Sequence, residues 1–333
     1  MSWPIKTMTA EDPTKPEGAG AALRRERLLR IAAIAAVVIV ALVAMALTPK
    51  FMTLDNLRAI LRNAATVGIV AVAMTPMTLS GNFVSLAITQ TAMAAMVSFV
   101  LLIGLGVPQV LAIVLVIAGT AVVGALQGIV VAAGLNPVIT TLAAGAVIFG
   151  VVSQATGGGI VRVGAHPLEW GGSSVVGIPI EVLVFFVFAA AVSVLMSATV
   201  AGRETILIGA NRATAEISGI SFARVTIVAF VIFSLGAATA GILSGAAFGQ
   251  ATAQSFPGLT ISAIAAILVG GTAIQGGQGS PLRSAIGAVI IAVISNMMVL
   301  NDFSTGGRLA VQGGIVCAIV IVLDLLRRRG VWR

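Results

Sequence analysis

From residue 63 to residue 161 the chain carries no Asp, Glu, Lys or Arg, and from residue 225 to residue 282 it again carries none. Soluble domains are about 25% charged because a water-facing surface needs polar cover. Here only 9% of residues are charged and 59% are hydrophobic before 38 glycines are counted. That balance excludes a soluble enzyme and makes lipid the solvent. About 20 apolar residues carry a helix across the hydrocarbon core, so each uncharged run holds several crossings. Backbone groups in lipid must be satisfied within helices or closed barrels. Barrel strands alternate polar and apolar residues, and stretches such as 31–46 and 110–117 do not. The expected fold class is all-α, a polytopic membrane protein.

Breaks in the apolar pattern divide the chain. A basic tail, 1–30, expected to be disordered, precedes an uncharged segment at 31–48, read as a first span rather than a cleaved leader. Further spans are expected at 59–79, 86–105, 109–133, 138–155, 182–200, 225–248, 259–274, 282–300 and 309–326, about ten in all, with short glycine-rich ones open to a re-entrant reading. The membrane domain is thus 31–326, followed by a basic tail at 327–333. Positive charge favours the cytoplasmic side. With both termini inside, only Lys50, Arg58, Arg62, Arg162 and Arg308 of the 19 Lys and Arg fall outside. The net charge of +8 is then a topology signal, and no basic surface patch suggests nucleic acid.

Rare residue types remove much of the catalytic repertoire. The lysines are Lys6, Lys15 and Lys50, so no Gly-x-x-x-x-Gly-Lys phosphate loop exists. His166 and Cys317 are the only residues of their kinds and tyrosine is absent, so neither a His/Cys metal cluster nor a Cys–His pair is expected. Cys317 sits in an apolar run and is expected to pack as a small side chain. No catalytic residue, metal ligand or cofactor is expected in this chain, and the reading is of a non-enzyme.

The segment 203–224 carries more charged residues than any other interlude between spans. Asn211 can cap a short helix, Arg212 and Glu216 pair at i,i+4, and Gly219 suits the stop. Such a helix in a cytoplasmic loop is placed to dock a soluble partner. Gly202-Arg203, then Ile208-Gly209-Ala210-Asn211, Ala213, Ala215 and Ser218-Gly219-Ile220 resemble the coupling loop of bacterial ABC-importer permeases of the ribose/xylose/arabinose type. The stretch Ala263–Thr272, then Gly276-Gly277-Gln278-Gly279-Ser280, is similar to that family's most recognisable segment. Thr53–Leu57, Asn136–Leu142, Gly287-Ala288, Asn296 and Leu323-Asp324 extend the resemblance over about residues 50–326. One departure is clear: where the family commonly has Gly-Gly-Ile-Asp-Leu-Ser, this chain reads Ser80-Gly81-Asn82-Phe83-Val84-Ser85.

The resemblance implies a type II-like importer permease fold and a chain that lines the path of a monosaccharide or polyol in the bacterial inner membrane. It implies a separate ATPase subunit that binds ATP, a periplasmic solute-binding protein and a second permease copy. Arg203, Glu204, Gly209, Asn211, Arg212, Ala215, Glu216 and Gly219 would form the ATPase-coupling loop. From the residues themselves, Gly270, Gly271, Gly276, Gly277 and Gly279 are read as hinge or turn glycines, with the 276–279 run forming a tight, mobile cytoplasmic hairpin. A branched-chain amino-acid or nucleoside permease is the alternative within the superfamily. An ion-coupled secondary transporter is the alternative of another class, although the uncharged runs leave a proton or sodium relay little to work with.

Polar residues inside a membrane are costly and are the default candidates for a solute path. These are Asn63, Thr66, Thr75, Thr78, Asn82, Ser85 and Gln90 around two neighbouring spans, with Asn136, Thr140, Thr141, Gln154 and Asn296 elsewhere. Gly124-x-x-x-Gly128 and Gly241-x-x-x-Gly245-x-x-x-Gly249 would let helices approach closely. The connector 157–181, with His166, Glu169 and Trp170, is expected to be an exposed outer loop.

Overall fold

A computed structural model describes residues 51–163, 168, 170–175, 177–273 and 275–328. The span expected at 31–48, the N-terminal tail, His166 and Glu169 lie outside these residues. Eleven helices occur among them. They are α1 Leu54–Leu79, α2 Ile88–Gly104, α3 Gln109–Ala132, α4 Pro137–Thr156, α5 Ile180–Ala198, α6 Val200–Ala210, α7 Arg212–Ile217, α8 Phe222–Phe248, α9 Leu259–Val269, α10 Pro281–Leu300 and α11 Thr305–Arg328. Four two-residue strands accompany them: β1 Val161–Arg162 pairs antiparallel with β4 Gln250–Ala251, and β2 Ser174–Val175 pairs with β3 Ile178–Pro179.

Every span expected after residue 50 coincides with a helix, and among the described residues α1, α3, α4, α5, α8 and α10 are the six long and apolar enough to cross a membrane. The boundaries differ where side chains intervene. Asp55 and Asn56, polar residues between the spans expected at 31–48 and 59–79, lie in the first turn of α1, where a carboxylate suits the helix dipole. The helix expected to reach residue 274 stops as α9 at Val269, because Gly271 turns left-handed (φ +75). Thr272 N–H then donates to the Ile267 carbonyl at 3.1 Å, closing the end. Its 11 residues reach about 16 Å at 1.5 Å each, roughly half the hydrocarbon thickness.

Helix α8 is the central post and packs against α3, α2 and α1. Small residues permit it. A Cβ on Gly124 would collide with Ser234, and one on Gly241 with the carbonyl of Ala92. Gly249 does not continue that small-residue face: it ends α8 in a left-handed turn (φ +61). The buried core runs along α1, α5, α8, α9 and α10, with Ile69, Met74, Phe230, Phe233 and Ile267 almost fully enclosed. Large apolar side chains such as Val110, Ile139 and Val187 are exposed, as helices bathed in lipid require. Cys317 is also exposed, because α11 lies at the margin and turns that position outward.

Contacts sort the loops into two ends. Residues 80–82, 209–211 and 275–278 meet at one, the near end. At the other, the far end, Asn296 Nδ2 donates to Asn56 Oδ1 at 2.8 Å and β1 meets β4. Trp170 is not a free loop residue there. Its Nε1 donates to Gln109 Oε1 at 3.0 Å, and its ring packs edge-on to Phe99.

Candidate functional site

At the near end α5 breaks at Thr199, whose Oγ1 accepts from Gly202 N–H at 3.2 Å and so starts α6. Gly202 packs where a Cβ would strike the Met196 carbonyl. One turn from its end α6 buries Thr205 and Ile208, and Gly209 then presses on two other segments. A Cβ on Gly209 would collide with the Leu79 carbonyl at the end of α1 and lie 2.6 Å from Gly277 N. Gly277 N–H donates to that same carbonyl at 2.9 Å. Gly276 (φ +94) stacks on Gly81, where an added Cβ would sit 2.7 Å from the Gly81 Cα. Three backbones, from α1, α6 and the 270–280 hairpin, are thus in direct contact with no side chain between them.

Asn211 then reverses the chain and caps α7, its Oδ1 accepting from Thr214 N–H at 3.1 Å. Arg212 Nε reaches Glu216 Oε1 at 3.0 Å, and the guanidinium lies 3.5 Å over the Phe222 ring. Ala215 is buried against Ile208 and Val225. At the stop Gly219 is left-handed (φ +84), and Ile220 N–H donates to the Ala215 carbonyl at 3.0 Å, the six-to-one bond of a glycine-terminated helix. Arg203 is exposed and Glu204 half-buried on α6. In the hairpin Gly270 packs where a Cβ would strike the Arg283 carbonyl, and Gly279 (φ +150) packs against Thr272. Beside these lies a groove of about 540 Å³, walled by Gly81, Asn136, Ala210, Arg212, Phe222 and Gln275.

The polar candidates divide by position. Thr75 Oγ1 is buried between the Ala71 carbonyl (2.9 Å) and Ser284 Oγ (2.8 Å), tying α1 to α10. Asn82 Nδ2 donates to Ser80 Oγ and Thr226 Oγ1 at 2.9 and 3.2 Å. Ser85 Oγ accepts from Ala87 N–H at 3.2 Å, and Asn136 caps α4 through Val138 N–H at 2.9 Å. Gln90 Oε1 and Thr140 Oγ1 are buried without a partner. Phe83, at the position of the family's usual aspartate, is 41% exposed.

Only Asn63, Thr66 and Asn296 of that set line the far-end cleft. It consists of two adjoining cavities of about 380 and 710 Å³ that share Ala59, Asn63, Thr66, Phe256 and Pro257, within the ~300–1,000 Å³ usual for small-molecule sites. The first also has Ser262, Asn296, Arg308 and Gln312 in its wall, and the second Arg58, Arg62 and Glu181. Ser262 Oγ donates to Gln312 Oε1 at 3.0 Å, and Arg62 Nε stands 3.6 Å from the buried Glu181 carboxylate. Ser262, Gln312, Arg308 and Phe256 escaped the sequence reading. Arg308 flanks a turn, Ser262 is a lone hydroxyl within an apolar helix, and Phe256 looks like any core aromatic. Among the described residues no group of His, Cys, Asp and Glu is placed to hold a metal.

An apolar helical bundle with a polar cleft at one end and a docked helix–turn–helix at the other defines an integral membrane transport subunit. The chain belongs to the family of branched-chain amino acid transport system / permease components, whose model matches residues 56–322. It is 33% identical over 188 residues to the probable ABC transporter permease protein YphD of Escherichia coli K12, covering 54% of this chain and 57% of that protein. It is 30% identical over 247 residues to the ribose import permease protein RbsC of Haemophilus influenzae, covering 72% and 75%. Against the D-allose transport system permease protein AlsC of Escherichia coli K12 it is 31% identical over 209 residues, covering 62% and 64%. No solved structure matches.

Proposed function

We propose that this chain is the permease subunit of an ATP-binding-cassette importer of the bacterial inner membrane, with both termini in the cytoplasm. It forms the path for a monosaccharide or polyol that a periplasmic binding protein delivers, beside a second permease copy. A separate ATPase supplies the energy. The names of the ribose and allose permeases support the sugar class. The observation that carries the reading is the junction of Gly209, Leu79 and Gly277. An exposed helix, α7, is joined through α6 to both the end of α1 and the hairpin that follows α9. A push on α7 is therefore delivered to two membrane elements as a displacement of backbone, since close-packed groups transmit movement and do not absorb it.

Deletion of 213–219 tests this. The variant should insert in the membrane and lose co-purification with the ATPase; an ATPase retained at the wild-type ratio overturns the reading. One observation favours a second solute. The larger cavity holds cations (Arg58, Arg62) and carboxylates (Asp55, Glu181) together, a pattern complementary to a zwitterionic amino acid. Competition of labelled D-ribose against L-leucine in reconstituted uptake separates the two.

A further inference from the structure

The cleft contains a backbone outlier, at a residue whose side chain also packs against the core. Phe256 has φ +67, a region in which a bulky non-glycine residue is a genuine exception. It also precedes Pro257, and a residue before proline is biased toward extended backbone. Outliers that break two rules persist only where their surroundings over-determine them, and they cluster at ligand sites. The surroundings here do so. Leu259 N–H donates to the Phe256 carbonyl at 3.2 Å, and Ser255 Oγ accepts from Thr252 N–H at 3.1 Å to close the turn. Gly258 (φ +78) packs so tightly on Leu309 that a Cβ would collide with it.

The result of that conformation is a half-buried aromatic ring in the wall shared by both cavities. Beside it stand polar groups that the fold leaves wanting. Asn296 is only 9% exposed; its Nδ2 serves Asn56, and its Oδ1 is buried with no partner. Arg308 spends Nη2 on Thr305 at 3.0 Å, and its buried Nε has none. Unsatisfied buried groups are costly and rare, so each asks for a partner from whatever enters. Asn63 and Gln312 add neutral amides, and Ser262 adds a hydroxyl.

An aromatic face is electron-rich and attracts weakly positive C–H groups. Amides and a guanidinium offer donors and acceptors around it. The molecule complementary to both is a saturated ring with apolar C–H faces and a rim of hydroxyls. We infer that Phe256 and the polar groups around it form a monosaccharide subsite, the C–H face of the sugar on the Phe256 ring and its hydroxyls on Asn63, Asn296 and Arg308. This rests on the solute-permease reading and specifies where and how that solute is held.

The test is saturation-transfer-difference NMR on the full chain in lipid nanodiscs, titrated separately with D-ribose, D-allose and L-leucine. The sugars should bind saturably, with transfer strongest at ring C–H protons. Phe256→Leu should weaken binding about tenfold or more, the scale of a lost aromatic anchor. Phe256→Tyr should retain it, and Asn63→Ala and Arg308→Ala should each weaken it. If Phe256→Leu fails to fold by circular dichroism, the latter two decide alone. Sugar binding indifferent to these substitutions overturns the subsite and leaves the permease reading standing. Saturable L-leucine with no sugar overturns it in favour of an amino-acid path. No binding by any of them also overturns it, whereas the ATPase co-purification test of the permease reading is unaffected.

Discussion

Gly277 N–H donates to the carbonyl of Leu79 at 2.9 Å, so the last peptide of α1 and the hairpin after α9 are held by a backbone bond. Gly209 lies against both partners of that bond. A main-chain bond cannot be retuned by changing a side chain; it is kept only if nothing intrudes. The three surrounding glycines, Gly209, Gly276 and Gly81, leave the room it needs, which is why substitutions there are informative.

Gly209→Ala should force the junction apart. Overpacking a closed site costs about 1–3 kcal/mol, and the new Cβ meets a carbonyl that cannot rotate away. The thermal midpoint in detergent should fall, and solute-stimulated hydrolysis by the associated ATPase should drop while the subunits still co-purify.

Asn211→Ala should loosen α7 alone. Losing an N-cap costs about 1 kcal/mol, and six residues make too short a helix to persist without one. Hydrogen exchange should rise across 212–218 with little change elsewhere. Glu216→Gln removes only an exposed ion pair, of which side chains are 57% and 44% exposed, and should alter exchange far less.

Arg62→Ala should be more damaging than Glu181→Gln. Glu181 has a side chain only 5% exposed, against 44% for Arg62, so removing the arginine strands a buried carboxylate. Breaking such a pair from one side costs roughly 3 kcal/mol. The double substitution should recover most of the loss, as a thermal-melt cycle in detergent would show.

Gly241→Val and Gly150→Ala should differ in sign. A Cβ on Gly241 strikes α2 at Ala92, whereas one on Gly150 meets nothing. The first should lower expression and the melting midpoint by separating α8 from α2. The second should be neutral or stabilising by about 0.5–1 kcal/mol, the helical cost of glycine.

Legibility in the sequence followed the range of the forces involved. The helix capped by Asn211 and closed by Gly219 was readable because caps and stops act within a few residues. The close approach of α3 and α8 was readable in part, since Gly124 and Gly128 are small whatever their partner. The polar candidates were only partly sorted. Thr75, Asn82 and Ser85 look the same in sequence as Asn63 and Asn296, yet the first three hydrogen-bond within the packed protein and the last two line the cleft. The arrest of α9 at Val269 was legible in part: Gly270 and Gly271 read as turn glycines, yet the span was drawn to 274 because a glycine pair in an apolar run also suits a continuing membrane helix.

The chain's lack of charge determined by itself that it lives in lipid, and its non-alternating apolar runs that it does so as helices, because only helices and closed barrels satisfy peptide groups there and barrel strands alternate. Its local caps and glycines likewise settled the exposed helix beside the near end. Only the tertiary structure decided that Gly209, Leu79 and Gly277 share one junction, and that Phe256, Asn63, Asn296 and Arg308 share one cleft. Those meetings depend on the packing of segments distant in the chain, for which a residue's neighbours in sequence carry no energy term.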